Sequence, residues 1–86
     1  MKLPATAMLA QAPQLLRQLG DDTDVVDASG LAEFDSSAVA LLLEARRRAA
    51  ARGRTLRVDG APAQLVELAR LYGVDEVLGL PAAEAG

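Results

Sequence analysis

The chain has 86 residues, 51% hydrophobic and 24% charged, with a net charge of −3. That size makes one domain, which buries roughly 60–65% of its unfolded surface, and the composition is globular rather than disordered or membrane-spanning. Cys and His are both absent, which excludes disulfide staples, thiolate nucleophiles, soft-ligand metal sites and any Ser-His-Asp triad.

Other exclusions follow from single residue types. Lys2 is the only lysine, next to the chain start, so neither a phosphate-loop lysine nor a Schiff base is expected. A pI near 4.7 argues against nucleic-acid binding. No run approaches the roughly 20 apolar residues that cross a bilayer, and no stretch has signal-peptide character. With only Phe34 and Tyr72 as aromatics, the core is built from Leu, Val and Ala. The expectation is a cytoplasmic protein that is not an enzyme.

Three strand-like runs alternate with three helical patterns. Leu3 to Ala7 reads as a strand weakened by Pro4, which restricts it to a strand start or edge. A helix follows from about Ala10, with Ala12, Leu15, Leu16 and Leu19 at helical spacing and Pro13 in its first turn. Gly20 is expected to end it in a left-handed cap before the polar turn Asp21 to Asp24. Val25 to Ala28 lack alternation, as in a strand buried on both faces. After Ser29-Gly30, Leu31 to Phe34 lead to Asp35.

The longest helix is expected over Ser36 to Arg52. Ala38, Leu41, Leu42, Ala45 and Ala49 form its apolar face, while Glu44, Arg47 and Arg48 point away. Gly53 ends it, and Thr55 to Asp59 alternate as a strand. Pro62 suits the first position of a last helix with Leu65, Leu68, Ala69 and Tyr72 on one face. Gly73 and Val74 fit a Schellman ending. Val77, Leu78 and Leu80 still pack, and residues 81–86 are expected to form a flexible tail beyond a single unit over 1–80.

The β-α-β-α-β-α order predicts an α/β fold: a mostly parallel sheet of three to four strands packed with three to four helices. At this length the helices are expected to cover one sheet face well and leave surface for a partner.

One segment is site-like. Glu33-Phe34-Asp35-Ser36-Ser37-Ala38 joins a strand end to a helix start, where open α/β sheets carry their sites. Asp35 or Ser36 is a natural N-cap, and capping alone accounts for both residues. A phosphorylated serine here would bring about −1.5 to −2 charges beside Asp35. Arg46, Arg47, Arg48, Arg52 and Arg54 complement the negative end of the long helix, with an acidic partner or anionic lipid as the alternative use.

Val25-Val26-Asp27-Ala28-Ser29 followed by Phe34-Asp35-Ser36-Ser37 resembles the STAS domains shared by sulfate transporters and anti-sigma factor antagonists. Arg52 to Val58 and Leu68-Ala69-Arg70-Leu71-Tyr72-Gly73-Val74 resemble the MlaB-type STAS subunit of Mla phospholipid-transport systems. Ala38 stands where the family usually has glycine, and one strand stands before the first helix where the family commonly has two. The resemblance implies a small STAS-like fold and a non-catalytic subunit with no cofactor or metal. Its implied partner is the cytoplasmic ABC ATPase of a phospholipid transporter, which would place it peripherally at the inner membrane through that partner and without insertion of its own. The alternative partner is an anti-sigma factor serine kinase, with Ser36 as phosphoacceptor. Asp35, Ser36, Ser37, Arg70 and Tyr72 are the expected partner contacts.

Overall fold

A computed structural model gives the structure of the chain and describes residues 1–20 and 22–80. Its elements are β1 (Thr6–Ala7), a 3-10 turn (Leu9–Gln11), α1 (Ala12–Gln18), β2 (Val25–Asp27), β3 (Glu33–Phe34), α2 (Ser36–Ala51), β4 (Arg57–Asp59) and α3 (Ala63–Leu71). The fold is α/β, and its strand pairings are parallel. β2 pairs with β4 in the register Val26 to Val58, and β1 with β3 in the register Ala7 to Phe34. A parallel bridge between Lys2 and Asp27 joins these two small sheets.

Pro4 explains the division. Leu3 N–H donates to the Asp27 carbonyl at 2.8 Å, and Glu33 N–H donates to the Ala5 carbonyl at 2.8 Å. The N-terminal segment thus serves β2 before the proline and β3 after it, and the missing Pro4 N–H falls where no ladder bond is made.

Strand alternation sorts the two faces of this layer. Leu3, Ala7 and Val26 are each 1% exposed. Thr6, Glu33, Asp27, Arg57 and Asp59 occupy the other face, half-buried or exposed. That face carries Thr6 bonded to Glu33 and Arg57 paired with Asp59. The expectation of a β2 strand buried on both sides is therefore corrected. Charged side chains solvate much of the open face, which also carries the exposed Val25.

The helices fill the apolar side. Ala38, Val39, Leu41, Leu42, Ala45 and Ala49 of α2 are buried, as are Leu65, Val66 and Ala69 of α3 and Leu15 of α1. Leu68 is half-buried against the same core. Leu78 and Leu80 are buried as expected, but Val77 is 46% exposed.

Several boundaries differ from expectation for local reasons. α1 ends at Gln18 with Leu19 extended, and Gly20 is not left-handed. The Leu19 carbonyl instead accepts from Arg48 at 2.6 Å, so the helix end is satisfied from α2 and needs no glycine turn. Glu44 and Arg48 accordingly do not point away from the protein; both are half-buried. Pro62 is the N-cap of α3, not its first helical residue. Glu33 and Phe34 form a strand where only a connection was expected, and Thr55 and Leu56 precede the β4 ladder. Leu16 is 37% exposed and Tyr72 55%, so both leave their expected core faces. At the end of α3, Gly73 (φ +73°) and the Val74 N–H bond to the Ala69 carbonyl (2.9 Å) make the Schellman ending. The expected tail, 81–86, lies outside the described residues.

Candidate functional site at the start of the long helix

The sequence left open whether Asp35 or Ser36 caps α2. Asp35 does: it is extended (φ −130°), and its Oδ1 accepts the Ser37 N–H at 2.9 Å. Its Oδ2 accepts the Leu9 N–H at 3.2 Å. One carboxylate therefore holds the starts of two helical segments, α2 and the 3-10 turn. The Ser37 N–H bond is the main cause of an Asp35 pKa below the usual carboxylate value, with Leu9 N–H adding to it against partial desolvation.

Ser36 has a different position. It is the first residue of α2 and is exposed. Among the described residues its hydroxyl has no hydrogen-bond partner, whereas Ser37 is half-buried beside Asp35. Capping accounts for Asp35 alone. The Ser36 hydroxyl is open to solvent.

Beside this start lies an apolar hollow of about 370 Å³ between α1 and α2. Leu9, Leu16, Ser37, Ala40 and Leu41 line it, with Glu44 and Arg48 at one end. Leu9 is 72% exposed and Met8 40%. Sequence reasoning placed Leu16 in the core and did not mark Met8 or Leu9. Adjacency of Leu15 and Leu16 gave no signal, since the neighbours Leu41 and Leu42 of α2 are both buried. A seven-residue helix repeats its period too few times to fix which face is buried.

A tight approach supports the same edge of the layer. Gly60 (φ +69°) leads from β4 toward α3, and a Cβ built on it would stand 2.7 Å from Ser29 Cβ. Only glycine fits that conformation and contact without displacement. Asp27 fixes the facing turn, its Oδ1 accepting the Ser29 N–H at 2.9 Å. Hydrogen bonds from Ser29 lower the Asp27 pKa. Asp27 thus shapes its own turn through Ser29.

Arg70 and Tyr72 lie at the other end of α3, both exposed. Arg70 lines a shallow hollow with Glu67 and Leu71, separate from the hollow beside Ser37. The five expected contact residues therefore form two groups: the α2 cap and the α3 end.

Among the described residues no cluster of acidic side chains is arranged to hold a metal ion. No helix among them is long and apolar enough to cross a membrane. Comparison with curated proteins gave no match. The profile described as MlaB, STAS domain matches residues 3–80, which includes the described elements from β1 to α3. The chain belongs to the MlaB-type STAS domain family.

Proposed function

We propose that this STAS domain is a non-catalytic protein-binding subunit that binds and regulates the cytoplasmic ABC ATPase of an Mla-type phospholipid transporter. The match to the MlaB-type profile over residues 3–80 carries the reading. The physical chemistry of the α2 start supports it: an exposed hydroxyl at Ser36 beside Leu9 and Met8 offers polar and apolar contact together. Arg70 and Tyr72 are the second contact group in this reading, and both residue types suit interface anchors. The protein then sits in the cytoplasm, peripheral to the inner membrane through its partner.

Co-purification with the cognate ATPase, followed by ATP turnover of the complex, tests the proposal. The expected outcome is a stable complex with altered turnover, while the isolated chain neither hydrolyses ATP nor binds it tightly. Absence of a complex, or tight saturable ATP binding by the isolated chain in calorimetry, contradicts it.

One observation favours a second reading. The Ser36 hydroxyl is exposed and without a partner among the described residues, as a phosphoacceptor requires. In that reading the protein is an anti-sigma factor antagonist whose free form binds a serine kinase and whose phosphorylated form is released. Phosphate on Ser36 would face the Asp35 carboxylate, and repulsion would alter the surface without touching the core. A neighbouring gene for a serine kinase with a sigma factor supports this second reading; neighbouring permease and ATPase genes support the first.

A further inference from the structure

The five arginines between residues 46 and 54 separate by partner. Arg47 and Arg48 pair with Glu44 at 2.6 and 2.8 Å, and Arg52 and Arg54 share Asp24, each at 2.6 Å. Arg46 differs. Its Nε donates to the Val77 carbonyl at 3.1 Å, and among the described residues no carboxylate pairs with it. Two guanidinium groups on the single Asp24 carboxylate leave a second positive charge unbalanced nearby.

Arg46 and Arg54 both border a cleft of about 210 Å³ between the end of α2, the start of β4 and the turn at 76–79. Thr55 adds a hydroxyl to the lining, Leu56 and Val77 give apolar wall, and Glu76 contributes a carboxylate. We propose that this cleft is a binding site for the phosphate group of a phosphate monoester. Guanidinium forks match tetrahedral oxyanions, and a hydroxyl adds a further donor.

Glu76 decides which oxyanion. An ionised carboxylate only accepts hydrogen bonds, so it repels a fully ionised anion and receives a bond from one that keeps a P–OH. Phosphate monoesters, with a second pKa of about 6, keep that proton in part of the population at neutral pH. Sulfate and phosphodiesters do not. The cleft lies at the opposite end of α2 from Ser36, a 16-residue helix of roughly 24 Å. The proposal therefore stands or falls independently of the partner surface.

The full chain is titrated with inorganic phosphate and, at matched ionic strength, with sulfate, followed by amide chemical shifts and calorimetry. The expected result is saturable phosphate binding with shifts at Arg46, Arg54 and Thr55, and affinity for sulfate at least about tenfold weaker. Arg54→Gln, which leaves the Arg46–Val77 contact in place, lowers phosphate affinity by about tenfold or more. Arg47→Gln, on Glu44, leaves it unchanged, and Glu76→Gln narrows the gap between phosphate and sulfate. Retention on phosphatidic acid vesicles, and not on phosphatidylglycerol vesicles, identifies a lipid monoester as the source; phosphate binding without vesicle retention identifies a soluble one. Equal, non-saturable responses to phosphate and sulfate, or unchanged affinity in both Arg46→Gln and Arg54→Gln, overturn the proposal.

Discussion

The two ends of α2 use their polar side chains in opposite ways. Through the second half of the helix and just beyond it, Glu44 and Asp24 each hold two arginines, so most of the charge is spent inside the molecule. At the start, the Asp35 carboxylate satisfies two backbone donors and leaves Ser36 open beside exposed Leu9 and Met8. The lesson is that charge alone does not mark a contact surface. An open polar group next to exposed apolar area is the stronger indicator.

The comparison holds only if the middle of α2 joins both ends to one core. Leu42 and Leu65 are fully buried, and Leu42→Ala is expected to cost about 2–5 kcal/mol in denaturant unfolding. A cost near zero would mean that the helix is not seated as described. The cap comes next. Asp35→Ala removes acceptors for the Ser37 and Leu9 N–H groups, with an expected loss of about 0.5–2 kcal/mol. Amide exchange of Leu9 should rise in that variant, because its N–H loses its partner. Unchanged exchange at Leu9 would separate the two segments that Asp35 is described as joining.

Acid titration sharpens the other end of the comparison. Hydrogen bonds from Arg47 and then Arg48 lower the Glu44 pKa from 4.5 to about 2. A depressed carboxylate stabilises the fold above its unfolded pKa and loses that contribution as pH falls through the folded value. Glu44 therefore contributes fully above about pH 4.5 and progressively less toward pH 2. Glu44→Gln should show a shallower stability loss across that window in urea unfolding at stepped pH. An unchanged slope would mean the Glu44 pairs are not formed in solution. Smallest of all is Ser36→Ala: the exposed hydroxyl has no partner among the described residues, so stability should stay within about 0.5 kcal/mol.

Hydrophobic period and glycine positions made most of this fold readable. Every residue expected on the apolar face of α2 is buried, because a long helix repeats its period enough times to fix its orientation. The failures cluster where two elements share a task. Gly20 looked like a cap because it follows a helix, yet Arg48 from a different element satisfies that end. Glu33 and Phe34 looked like a connection because two residues carry no period, and their strand exists through pairing with Thr6 and Ala7. At the site, the Asp-Ser-Ser spacing located the helix start but left the cap ambiguous, since both residue types cap well. The contact from Leu9 to Asp35 spans 26 positions, and no local pattern encodes it.

The central claim is that the partner meets the start of α2 and not its arginine-rich end. It is tested most directly by measuring the affinity of the cognate ABC ATPase for Ser36→Glu and for Arg47→Glu, with the Tm of each variant alongside. The account predicts that Ser36→Glu weakens binding by about a hundredfold, a few kcal/mol of charge penalty at an interface, while Tm barely changes. Arg47→Glu, on a side chain 68% exposed and pairing with Glu44, is predicted to bind nearly as wild type. Wild-type affinity for Ser36→Glu together with loss of binding in Arg47→Glu would contradict the account and move the interface to the arginine face.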